Sequence, residues 1–158
     1  MLEHKDIVEE IKVIVFRLVD EEYGVEVAQV RSIEKMQNIT RVPRTPEFVK
    51  GVINLRGVVT PIIDLKTRFD LGVEEYTDST RIIIVAVDDM EVGLIVDAAN
   101  DVIDIAVNSI ELPPAVVGGI KANYLRGVAK LEDRLLILLN LDKVLSQEEI
   151  QAMSTLER

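Results

Sequence analysis

With 158 residues, three Phe, three Tyr and no Trp or Cys, the chain has the size of one ordinary domain and must build its core from Val, Ile and Leu. The lack of Cys excludes disulfides and thiolate metal sites, and a net charge of −10 argues against a general nucleic-acid binder. No apolar run reaches the roughly 18 residues of a membrane span, and the first residues, Met1 to Asp6, have neither the basic nor the apolar region of an export signal; a cytoplasmic location is expected.

In chain order, residues 1–11 read as a short helical lead-in or a loose terminus, and Val13 to Val19 as a strand. Asp20 to Glu22 make a polar turn, Tyr23 to Val27 the returning strand, and Val30 to Met36 a third strand. Pro43 and Pro46 exclude helix across most of 38–47. Two β-branched runs, Val52 to Leu55 and Val58 to Leu65, flank Arg56-Gly57 and predict a hairpin. Leu65 to Leu71 is ambiguous and fits a helical turn, followed by an acidic linker over Gly72 to Ser79.

After Thr80 the pattern restarts. Arg81 to Val87 and Glu91 to Asp97 form strands around an Asp88-Asp89 turn, and Val102 to Ile105 forms another. Pro113 to Gly119 reads as a loop, and Tyr124 to Leu131 with Arg134 to Leu141 as a final hairpin. From Asp142 the period becomes helical, with Val144, Leu145, Ile150, Met153 and Leu156 on one face. Ser146 and Glu149 have capping-box spacing, so the helix can begin there.

The restart is a duplication. Residues 124–141 lie on 48–65 at an offset of 76, matching Gly51 with Gly127, Leu55 with Leu131, Asp64 with Asn140 and Leu65 with Leu141. The earlier strands match at an offset of 69: Asp20 with Asp89, Gly24 with Gly93, Val27 with Val96. The seven-residue difference belongs to the second copy, near Pro113-Pro114. A period near 70 suits two small all-β units rather than a solenoid. Where the first copy turns on Arg56-Gly57, the second turns on Glu132-Asp133, so the fold does not demand Arg56. Turn chemistry asks for Gly, Asn, Asp or Pro, each for a backbone reason, and never for Arg. A solvated turn and a partner-binding residue both remain open.

Charge is uneven. Residues 35–68 hold Lys35, Arg41, Arg44, Lys50, Arg56, Lys66 and Arg68 against Glu47 and Asp64, a net of +5 that leaves −15 elsewhere. Such a stretch is a mixed solvated face, a steering surface for an acidic partner, or a nucleic-acid footprint on a double barrel.

Catalytic kits are missing. The single His is His4 in the terminal segment, which leaves Ser–His chemistry without a base. No P-loop, dinucleotide fingerprint, zinc cluster or EF-hand spacing occurs, so no cofactor and no metal site is expected. Carboxylate pairs from distant positions are the one catalytic arrangement a sequence leaves open. A binding module is the reading that fits.

Three blocks sharpen it: Asp20-Glu-Glu-Tyr-Gly-Val-Glu-Val27, Thr45-Pro-Glu-Phe-Val-Lys-Gly-Val-Ile-Asn-Leu-Arg-Gly57 and Pro61-Ile-Ile-Asp-Leu65. With Val92 to Asp97 and Tyr124 to Leu141, they resemble CheW, the coupling-protein family of bacterial chemotaxis, from about Val13 to the C-terminal helix. The resemblance implies a mainly β fold of two SH3-like five-stranded barrels sharing an apolar core, with a C-terminal helix. The first barrel would span about 13–71, the second about 80–141 and the helix 142–156, with exchange of strands between barrels allowed. It further implies a non-enzymatic adaptor that binds the regulatory domain of the CheA kinase and the cytoplasmic tip of chemoreceptors, with self-association in rings as a further possibility and no membrane insertion. Gly51, Asn54 and Arg56 fall where coupling in the family is sensitive. Val27, Val30, Ile33, Val59, Thr80, Arg81 and Ile82 match its partner surfaces, Arg81 standing where the family commonly has an apolar residue.

Overall fold

The computed structural model describes residues 9–72, 75–113, 116–117 and 120–154. His4, most of the N-terminal lead-in, Gly118-Gly119 and Leu156 lie outside them. Among the described residues there are thirteen strands: β1 (Glu10–Leu18), β2 (Glu21–Glu26), β3 (Val30–Lys35), β4 (Val49–Leu55), β5 (Val58–Asp64), β6 (Arg81–Val87), β7 (Met90–Val96), β8 (Ala98–Ala106), β9 (Ile110–Glu111), β10 (Val116–Val117), β11 (Ile120–Lys121), β12 (Leu125–Lys130) and β13 (Leu135–Leu139). The described residues also hold three short α-helices: α1 (Leu65–Arg68), α2 (Leu141–Val144) and α3 (Gln147–Ser154). Ile11 belongs to β1, where it pairs with Ile105 of β8, and not to the helical lead-in expected over 1–11.

Neither large sheet is built from one chain half alone. One has the order β3-β6-β7-β5-β4 and the other β8-β1-β2-β13-β12-β9. The hairpins β1–β2 and β6–β7 have in effect exchanged places. Each docks in parallel on the closing strand of the opposite half, Ile62 opposite Gly93 in one barrel and Leu138 opposite Gly24 in the other. Those two pairings superimpose under the offsets of 76 and 69, so the duplication is realised as a pseudo-twofold exchange of hairpins.

The bulges obey the same symmetry. Arg31 is the extra residue where β3 meets β6, and Asn100 where β8 meets β1. Lys50 is the extra residue on β4, and Arg126 on β12. A glycine follows each of the latter two. At Gly51, with φ +143°, a Cβ would lie 2.0 Å from the Thr40 carbonyl oxygen, and at Gly127 it would lie 2.7 Å from that of Glu111. These are the places where each barrel closes, through Thr40 on Val52 and Glu111 on Val128. The matched Asp64 and Asn140 are equivalent caps: Asp64 Oδ1 accepts from the backbone N–H of Lys66 (2.9 Å) and Asn140 Oδ1 from that of Asp142 (3.1 Å). Where the second copy is longer, β10 and β11 pair antiparallel, so Val116 and Val117 of the expected loop are strand residues, while 114–115 and 118–119 lie outside the described residues.

Burial on both faces explains the unbroken apolar runs. Ile82 and Ile84 fill the interior of the first-named barrel with Ile53, Leu55, Ile62 and Ile95, while Val13 and Val15 fill the other with Ile105, Ala129, Leu136 and Leu138. The alternate residues, Ile83 and Val85 on β6 and Ile14 and Phe16 on β1, meet in a core shared between the barrels. The C-terminal helical segment is split in two. Ser146 and Glu149 make the reciprocal box, Ser146 N–H to Glu149 Oε1 (2.7 Å) and Glu149 N–H to Ser146 Oγ (3.1 Å), and α3 starts there.

Candidate protein-interaction surface

The β4–β5 turn has Arg56 at φ +53° and Gly57 at φ +86°, the two left-handed positions of a type I′ hairpin turn. Asn54 braces it, its Oδ1 accepting from the Gly57 N–H at 2.8 Å. Asn54 and Gly57 therefore have local reasons. Arg56 has the opposite, since a left-handed L-residue costs about 1–2 kcal/mol and Asn is the residue this position favours. Its side chain is 68% exposed and reaches Glu34 Oε2 at 3.5 Å, an ion pair worth little at the surface. Beside it Val58 is half exposed.

On β3 the bulge at Arg31 resets the alternation, so Val30 and Ile33 fall on one face, opposite Val85 and Ile83 of the shared core. Val30 and Val27 pack on that core and remain partly accessible. Ile33, beyond the cover, is 43% exposed. Arg81 faces Lys35 at the end of this stripe. The structure thus separates two accessible groups: Val27 in the turn that leads into β3, Val30 and Ile33 on β3 and Arg81 on β6, and Asn54, Arg56 and the half-buried Val59 around the hairpin tip.

Three expected site residues are not accessible, which corrects their direct role in contact. Ile82 is fully buried inside the barrel. Thr80 is buried, its Oγ1 accepting from the Thr77 N–H at 2.8 Å. Gly51 is buried beneath the backbone of Thr40. They shape the surface from below.

The basic stretch also divides. Lys66 pairs with Asp97 at 2.8 Å, both largely buried. Arg68 donates through Nε to the Val144 carbonyl (2.7 Å) and through Nη2 to Glu149 Oε1 (3.1 Å). Its guanidinium lies 4.6 Å from the Phe48 ring centre and 5.1 Å from that of Tyr124, the two aromatics matched by the duplication. These two cations hold the fold together. Among the described residues no group of His, Cys, Asp and Glu is arranged to hold a metal, and no helix is long and apolar enough to cross a membrane.

Comparison with known proteins decides the family. Residues 12–149 match the model of the CheW-like domain. The chain belongs to the CheW family. The chemotaxis protein CheW of Bacillus subtilis is 48% identical over 141 residues, covering 89% of this chain and 90% of that protein. CheW of Klebsiella aerogenes is 37% identical over 137 residues, covering 87% and 82%. The crystal structure of the scaffolding protein TtCheW from Thermoanaerobacter tengcongensis superimposes with a TM-score of 0.83 at 41% identity, covering 89% of this chain and 96% of that one. The two SH3-like barrels are those of the CheW fold, and the family is one of chemotaxis scaffolds rather than enzymes.

Proposed function

We propose that this CheW-family chain is a non-enzymatic adaptor working in the cytoplasm. It joins the regulatory domain of the CheA histidine kinase to the cytoplasmic tip of a chemoreceptor through separate surface patches. The observation that supports this best is Arg56: the hairpin tip disfavours it, the second barrel lacks it, and among the described residues its one ion pair is an exposed one. A residue with no local reason, held at a conspicuous tip of a scaffold-family fold, is explained by a partner. The apolar stripe of Val27, Val30 and Ile33 supplies burial for a partner helix, while charged neighbours set register and encounter rate. The two tips have opposite charge, Arg56 on one barrel and Glu132-Asp133 on the other, which suits head-to-tail self-association in rings within arrays. Weak individual contacts gain strength there by simultaneous engagement.

A nucleic-acid role for the 35–68 stretch loses two of its seven cations, Lys66 and Arg68, to internal pairing. Titration calorimetry of the chain with the kinase regulatory domain and with a receptor cytoplasmic fragment tests the adaptor. Saturable binding of both is expected, and Arg56→Glu should weaken it without unfolding. Absence of binding to either fragment would remove the proposal.

A further inference from the structure

The duplication provides an internal control for surface positions. In one barrel Lys12 on β1 stands directly opposite Asp104 on β8, and their side chains form a 2.9 Å ion pair. Sixty-nine residues on, the equivalent pair in the other barrel is Arg81 on β6 opposite Lys35 on β3. Two cations occupy the position that its counterpart fills with opposite charges, and like charges at directly opposed positions work against strand pairing. The neutral carbonyls of Asp78 and Thr80 each accept from Arg81 Nη1 at 2.8 Å, which orients the guanidinium and leaves its charge uncancelled. Lys35 is exposed. Among the described residues neither cation has a carboxylate within the 4.0 Å of an ion pair. Both line a hollow of about 310 Å³ with Met36, Thr77, Asp78 and Thr80. Asp78 contributes the single carboxylate of that lining and engages neither cation through its side chain. On the same face, two residues before Lys35, stands the exposed Ile33.

We propose that Lys35 and Arg81 form a receiving site for a carboxylate side chain of a protein partner, with Ile33 and Met36 taking the apolar residue beside it. The inference rests on the adaptor reading and adds what that reading lacks, a specificity-determining cation pair that demands an acidic, apolar-anchored segment. Charge complementarity selects this occupant: two uncompensated cations at the end of an apolar stripe, in a chain whose net charge is −10.

The test is Lys35→Asp, which rebuilds in this barrel the pairing of Lys12 with Asp104. Folding stability should stay level or rise. Affinity for whichever of the two fragments carries the acidic segment should fall at least tenfold, with a flatter dependence of log affinity on log salt. Arg81→Leu, a second variant that keeps the apolar environment, should reproduce the loss of affinity and the flatter slope. Unchanged affinity and salt slope in both variants, while the wild type binds, would overturn the cation-pair site alone. A wild type that binds neither fragment would overturn the adaptor reading and this site with it.

Discussion

Replacing Arg68 by Ala should destabilise the chain by about 3 kcal/mol. The side chain is mostly buried and makes a charge-assisted bond to Glu149 and a second to the Val144 carbonyl. Hydrogen bonds to charged groups contribute about 1.5–3 kcal/mol each, and a desolvated cation over an aromatic ring about 1–2 kcal/mol. Phe48 and Tyr124 offer two such rings. The terms share one guanidinium and do not add, so about 3 kcal/mol is a fair total. At a urea m-value of about 2 kcal/mol/M the midpoint would drop by about 1.5 M. Arg68→Lys keeps the charge but not the planar fork, and should lose about half as much. Urea unfolding followed by circular dichroism measures both. A midpoint within about 0.2 M of wild type for Arg68→Ala, equivalent to about 0.4 kcal/mol, would refute the view that this arginine ties α1 to α2 and α3.

Two further substitutions test local physics. Val19 has φ +59°, an unfavourable conformation for a β-branched residue, and its backbone N–H bond to Asp97 Oδ2 (2.7 Å) survives any side-chain change; Val19→Gly should raise stability by about 0.5–1 kcal/mol in thermal melts, the relief exceeding the entropic cost of Gly, and a lower melting temperature would count against it. Tyr23 is fully buried, its hydroxyl has no hydrogen-bond partner among the described residues, and burial, helped by the Glu21 carboxylate, pushes its pKa up to about 12. Because the folded value exceeds the unfolded one, its stabilising share is intact below about pH 10 and is lost as pH rises toward 12. Tyr23→Phe should match or exceed wild-type stability at pH 8 and flatten the alkaline decline. An identical decline in the variant would exclude Tyr23 as its source.

Much of the fold is legible because each copy repeats residues with backbone duties, Gly51 and Gly127 at the closures and Asp64 and Asn140 at the caps, and because Ser146 and Glu149 have the spacing of the box that starts α3. The exchange of hairpins, which the family resemblance allowed, is not legible from the apolar pattern, because residues such as Val13 to Phe16 are buried on both faces. An unbroken apolar run has no alternation to say which sheet it joins. The same double burial hid Ile82, which the family resemblance placed on a partner surface and the barrel interior claims. The common face of Val30 and Ile33 depends on the bulge at Arg31, which periodicity does not register. Arg68 and Lys66 entered the charge count as surface cations, and only tertiary packing shows that they are internal. Arg56 was legible for a simple reason: a turn that both copies possess keeps it in one alone.

Arg56→Asn is therefore the most direct test of the central claim, that the first hairpin tip serves a partner at the expense of the fold. Asn suits the left-handed position better than Arg, so the melting temperature should hold or rise. Calorimetric affinity for the kinase regulatory domain or the receptor fragment should meanwhile fall at least tenfold. A variant that melts markedly lower and binds both fragments as wild type does would show that Arg56 braces its own barrel, and would contradict the account.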